Sequence, residues 1–141
     1  MLQLLSPQAG QSIVDLGAGY GRMGFVIARH FPDVRFVGYE YVAERVNEGK
    51  RCLNLAGAPP HIALQQADLS HFGFRPESAD FYFIYDYGTR AAISKTLDDL
   101  KRVARNRSIV VIGRGRASRD AIEREQPWLS GTVPPEHHGH Y

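Results

Sequence analysis

The sequence predicts an α/β domain built on a doubly wound, mostly parallel sheet with helices on both faces, its C-terminal strands incomplete. Three observations carry that expectation. Apolar runs of strand length recur along the chain with helical patterns between them. Three glycines at alternate positions follow the first run, and an acid stands at the carboxyl end of four runs. Such alternation is what βαβ crossovers produce, and crossovers join parallel strands.

Each element has its own signal. Residues 1–11 contain Pro7 and Gly10 and form a lead-in segment. The first strand is 12–16, apolar enough to be buried on both faces. Met23, Val26, Ile27 and Phe31 fall at helical spacing over 22–31, and Pro32 stops the helix. A second strand, 34–40, ends in Glu40. Val42, Val46, Leu53 and Ala56 mark one face of the next helix, which Gly57 and Pro59-Pro60 terminate. Residues 62–68 form a third strand ending in Asp68. The aromatic and β-branched run 79–86 is the fourth, ending in Asp86. Ile93, Leu97, Leu100 and Val103 predict a helix over 90–105, followed by a fifth strand at 108–113. From 116 to 141 the pattern is irregular. A short helix N-capped by Ser118 is expected over 118–125, and the start of another strand over 128–133.

Bulk properties bound the possibilities. The 141 residues make one domain, long enough to bury a core. Hydrophobic residues at 43% and charged residues at 23% are ordinary for a globular protein, and no apolar run reaches the roughly 18 residues of a membrane span. A net charge of +2 does not indicate nucleic acid. A lone cysteine, Cys52, excludes an internal disulfide and fits a reducing, cytoplasmic setting. The first ten residues lack the basic start of a signal peptide.

The turn after the first strand carries the chemistry. Asp15-Leu16-Gly17-Ala18-Gly19-Tyr20-Gly21 leads from a buried strand into a helix whose first N–H groups have no partner within it. The dinucleotide fingerprint is G-x-G-x-x-G, and here the third glycine comes one residue early. This spacing, with Asp15 two residues before the first glycine, resembles motif I of the class I S-adenosylmethionine-dependent methyltransferases. The resemblance runs over residues 12–115 and implies their Rossmann-like core. That family usually adds two more strands after the fifth, so the interrupted loop sequence at 133–141 reads as part of a longer chain.

In an open parallel sheet, ligands bind beyond the carboxyl ends of the strands. Asp15, Glu40, Asp68 and Asp86 are therefore expected on one rim. A carboxylate such as Glu40 can accept both hydroxyls of a ribose, and it follows Gly21 by about the interval seen in nucleotide-binding folds. Tyr41 beside it is placed to lie against an adenine ring. The resemblance further implies that Asp68 and the Leu69 N–H meet the adenine edge. It also implies that Asp15 and the backbone of Gly17, Ala18 and Gly19 meet the methionine part of the cofactor, that Tyr20 is a further cofactor contact, and that S-adenosylhomocysteine is the product. Asp86 and Tyr87 follow the fourth strand, where the acceptor is chosen, and are the catalytic candidates; Asp86 also faces the sulfonium charge. The Asn/Asp-Pro-Pro-Tyr sequence of methyltransferases acting on adenine or glutamine amino groups is absent there, where Asp86-Tyr87-Gly88-Thr89 stands.

The expected activity is methyl transfer to an acceptor, protein or small molecule, with a lysine side chain favoured by the tyrosines at positions 82, 85 and 87. Two other readings stay open: a nicotinamide-dependent oxidoreductase on the same sheet, and a non-catalytic adenosyl-binding or partner-binding module. No metal site is expected. The histidines at 137, 138 and 140 read as a flexible or substrate-facing tail.

Overall fold

The computed structural model describes residues 1–138. Five strands form the sheet: β1 (Ser12–Leu16), β2 (Arg35–Glu40), β3 (Ile62–Gln66), β4 (Phe81–Tyr85) and β5 (Val110–Arg114). Their order is β3-β2-β1-β4-β5 and every pairing is parallel. The order reverses between β1 and β4, which places a crevice at the carboxyl ends of these two strands.

Alternating side chains of each inner strand feed two separate cores, as the two-residue strand period requires. Ile13, Phe36, Phe81 and Phe83 point to one face, where α2 (Arg22–His30) and α3 (Ala43–Leu55) cover them with Ile27, Val46 and Leu53. Val14, Leu16, Val37, Tyr39, Tyr82 and Ile84 point to the other, against Ile93, Leu97 and Leu100 of α4 (Arg90–Ala104). Thr89 caps α4 by accepting from the Ala92 N–H at 3.2 Å. The doubly wound expectation is met, with no helix between β3 and β4: residues 67–80 form an irregular segment there, and its Leu69, Phe74 and Ala79 pack into the α4-side core.

The structure revises the two ends of the chain. The lead-in segment includes a single helical turn, α1 (Leu2–Leu5). No strand begins at 128: Pro127 opens a short helix, α6 (Pro127–Ser130), and the Trp128 Nε1–H donates to Gln126 Oε1 at 2.7 Å. A proline at a first helical position is tolerated because its missing N–H would have no helical partner. Ser118 lies inside α5 (Arg116–Asp120) rather than capping it, and a wider π turn (Ala121–Glu125) follows. β3 and β4 are also shorter than expected, so Asp68 and Asp86 fall just beyond their strands.

Candidate cofactor and acceptor site

The glycine turn is held by backbone geometry that other residues adopt only with strain. Gly17, Gly19 and Gly21 have φ of 92°, 58° and 77°. The N–H groups of Gly17 and Ala18 both donate to the Tyr39 carbonyl, at 3.0 and 2.9 Å, tying the turn to the end of β2. Space around the three glycines differs. A Cβ on Gly17 would lie 2.8 Å from the Tyr87 Cβ, and one on Gly21 2.6 Å from Leu64 Cδ1, whereas one on Gly19 would meet nothing within 4 Å. Gly19 is thus where the turn faces open room. Tyr20 beside it is 60% exposed.

Glu40 reaches this opening. Its buried carboxylate accepts from the Gly19 N–H at 2.8 Å and from the Val42 N–H at 3.0 Å, with the Arg45 guanidinium 3.6 Å away. Asp15 sits behind it in β1, in register with Gly38 and Phe83 on its two neighbours. Burial, and then the Glu40 charge, push the Asp15 carboxyl up to about 7. Two acids at the open end of the sheet suit a ligand that brings a positive group. Gly38 makes the arrangement possible: a Cβ there would come within 2.7 Å of both the Ala18 Cβ and Leu64 Cδ2. That requirement follows from a contact distant in sequence, and no local motif signals it.

The other expected residues fall on the same rim with different engagements. Tyr41 is 67% exposed, next to Glu40. Asp68 accepts from the Ser70 N–H at 3.0 Å and the Ser70 hydroxyl at 2.5 Å, bonds that hold its carboxyl below the usual range. One of its oxygens therefore fastens the turn after β3. The Leu69 side chain is buried in the core.

Asp86 and Tyr87 are brought to the crevice, and both are committed within the chain. Asp86 accepts from the Ala117 N–H at 3.0 Å, the Ser118 N–H at 2.8 Å and the Ser118 hydroxyl at 2.6 Å. Burial pushes its carboxyl up, and these bonds outweigh that and hold it below the ordinary value. Gly115 is required beside it, because a Cβ there would overlap the carboxylate. The Tyr87 ring packs on Gly17, and its hydroxyl bonds the buried Thr96 hydroxyl and the Ala92 carbonyl. Burial pushes that phenol up to about 12, so it stays protonated at neutral pH. Both side chains are thus bonded within the chain, Asp86 to the start of α5 and Tyr87 to α4. Tyr85 is half exposed at the same rim, and the Arg114 guanidinium lies 5.6 Å from its ring centre.

Among the described residues, no group of three or more His, Cys, Asp or Glu is placed to hold a metal ion, and no helix is long and apolar enough to cross a membrane. His137 lies 2.8 Å from Glu123 and His138 3.2 Å from Glu136; His140 falls outside the described residues.

Known proteins resemble this chain in sequence and in fold. The family model described as a methyltransferase domain matches residues 13–107. A protein-lysine N-methyltransferase of Saccharomyces cerevisiae, EFM4, is 34% identical over 83 residues, covering 59% of this chain and 35% of the yeast protein. The chain thus spans about a third of the length of that curated relative. Among solved structures, the PH0226 protein of Pyrococcus horikoshii OT3 superposes with a TM-score of 0.64 at 12% identity, over 89% of this chain and 57% of that one. PKMT2 of Rickettsia typhi, in complex with AdoHcy, gives 0.55 at 16% identity, over 66% and 19%.

Proposed function

This chain belongs to the class I, Rossmann-like methyltransferase family, whose cofactor is S-adenosylmethionine, and we propose that it transfers a methyl group from that cofactor to a protein lysine side chain. One observation carries the cofactor part. The buried Glu40 carboxylate and the open backbone at Gly19 lie 2.8 Å apart across the turn, an acid for a ribose diol beside a surface bare of side chains. Asp15 behind them offers its carboxyl to the ammonium end of the methionine part. Tyr41 flanks the adenine, and Asp68 with the Leu69 N–H takes its edge.

When bound, the cofactor supplies an electrophilic methyl group on a sulfonium, already equipped with a good leaving group. The chain's work is then alignment and exclusion of water. Tyr87 closes the floor between the glycine turn and α4, and Asp86 fixes the segment after β5 to the end of β4. For the lysine acceptor, support comes from the yeast relative, named a protein-lysine N-methyltransferase.

Calorimetric titration with S-adenosylhomocysteine and with NAD tests the cofactor. Binding of the first alone is expected, with loss of at least 100-fold in affinity for Glu40→Ala. Retained affinity in that variant, or preference for NAD, would overturn the placement. Incubation of a cell lysate with a labelled methyl donor tests the acceptor: label on lysine is expected, and label confined to small molecules would overturn it.

A further inference from the structure

We propose that the cavity between the segment before β4 and the C-terminal half of α4 binds a phosphate monoester, which Arg75 and Arg102 grip together. The cavity has a volume of about 280 Å³. Residues 75–78 lead into β4 and α4 runs back antiparallel to it, so the cavity lies at the amino ends of the strands. The cofactor crevice is at the opposite end of the sheet. All the lining residues fall within 75–106, inside the stretch 13–107 that the methyltransferase-domain model matches. The core of the domain builds this site by itself.

Asp99 organises the charges. Its buried carboxylate has Lys95 Nζ 2.6 Å from Oδ2, while Arg75 and Arg102 approach Oδ1 at 3.4 and 3.6 Å. Three cations thus surround one acid, a surplus of two positive charges. The carbonyl end of a helix draws cations, which accounts for Lys101 and Arg102 in the last turn of α4. It does not account for Arg75, which comes from outside the helix. Two guanidinium groups repel one another, and here a shared buried oxygen holds them side by side before any ligand arrives. The neighbouring acids are engaged elsewhere, Glu77 with Arg35 at 2.6 Å and Asp80 with Arg107.

The groups left over are donors. Arg75 spends Nη1 on the Phe72 and Phe74 carbonyls, at 2.8 and 2.7 Å, and on Asp99, which leaves Nε and Nη2. Arg102 makes no side-chain hydrogen bond among the described residues. The Ser78 hydroxyl accepts from Arg107 at 3.3 Å and keeps its own proton to donate, and the exposed Asn106 amide lines the same cavity. Both guanidinium groups are about half exposed, so a solute reaches them. A planar fork of N–H groups fits two oxygens of a tetrahedral oxyanion. A phosphate monoester carries about −1.5 to −2 charges at neutral pH and three terminal oxygens, which answers both the charge surplus and the donors. A carboxylate or a phosphodiester brings only one charge.

The test follows the NMR shifts of the isotope-labelled chain during four titrations. The probes are inorganic phosphate, a phosphoserine peptide, the same peptide unphosphorylated, and an oligonucleotide without a terminal phosphate. Phosphate and the phosphopeptide should bind saturably, with shifts centred on Arg75, Ser78, Arg102 and Asn106, and the unphosphorylated peptide should not bind. A phosphopeptide at least tenfold tighter than phosphate places the group on a protein; one no tighter places it on a small molecule. Arg102→Gln should weaken phosphate binding at least tenfold with an unchanged melting temperature. Arg102→Lys, which keeps the charge without the fork, should restore only part of that loss. Unchanged affinity in Arg102→Gln, an oligonucleotide bound as tightly as phosphate, or shifts scattered over all the arginines would overturn the proposal. Cofactor affinity enters none of these readouts.

Discussion

The sheet has two unlike halves. On the β1-β2-β3 side, the apolar residues of β2 and β3 are buried nearly throughout: Phe36, Val37, Tyr39, Ile62 and Leu64 are all at most 5% exposed. On the β5 side, Val110 is 44% exposed and no residue of the strand is fully buried. The first half holds the cofactor candidates in a frame of close backbone contacts, where Gly38, Gly21 and Gly17 each leave no room for a methyl group. The second is fastened by side-chain hydrogen bonds, from Asp86 to α5 and from Tyr87 to α4. Packing of the first kind gives one rigid geometry, while polar fastening of the second kind can open locally at lower cost.

The largest test of this contrast is the acid sealed into the rigid half. Asp15 is raised from 3.8 to about 7, so the folded state holds a proton that the unfolded chain releases. A raised carboxylate destabilises the fold as pH rises: the penalty is absent below the unfolded value and complete above the folded one. At about 1.4 kcal/mol per pH unit, that interval amounts to about 4 kcal/mol. Chemical denaturation between pH 4 and 8 should show wild type losing roughly this much relative to Asp15→Asn. Parallel curves for the two proteins would mean that water reaches Asp15 freely and that this half is not sealed.

Next in size is Gly38→Ala. Its new methyl group would meet Ala18 and Leu64 at 2.7 Å, between a strand and a turn that have nowhere to move. Overpacking of this kind costs about 3 kcal/mol, and it should take cofactor affinity with it by displacing the turn. A melting temperature within a degree or two of wild type would show a more yielding turn. Across the sheet, Asp86→Ala removes the acceptor of two N–H groups and a hydroxyl, and should cost about 1–2 kcal/mol. Hydrogen exchange should quicken at 116–120 while β1 and β2 keep their protection. Uniform loss of protection would show that the two halves unfold as one unit.

The contrast also explains what was legible in the sequence. The glycine turn, the strand acids and the first two helices are local signals, and Asp15, Glu40 and Tyr41 lie where those signals put them. The fold class followed from the same alternation of runs. What sequence reading missed depends on contacts far apart in the chain. Gly38 looks like any strand glycine until Ala18 lies over it. Asp86 reads as a free rim acid because Ser118, which occupies it, is 32 residues away. A strand is expected to begin over 128–133, and Pro127 with the Gln126–Trp128 bond makes a short helix at Pro127–Ser130 instead.

The smallest predicted effect separates the halves most finely. Tyr87 touches both: its ring rests on Gly17 of the cofactor turn and its hydroxyl bonds Thr96 of α4. Tyr87→Phe keeps the ring and deletes the hydroxyl, leaving Thr96 and the Ala92 carbonyl to each other. The loss in stability should be about 1 kcal/mol, the ordinary value of one such bond. Because the ring still covers Gly17, S-adenosylhomocysteine affinity should stay within twofold of wild type. The segment after β4, now less firmly tied to α4, should show a several-fold rise in the acceptor KM with kcat nearly unchanged. A fall in cofactor affinity with an unmoved acceptor KM would reverse the assignment: Tyr87 would then belong to the rigid half, and the boundary between the halves would lie beyond β4 instead of along it.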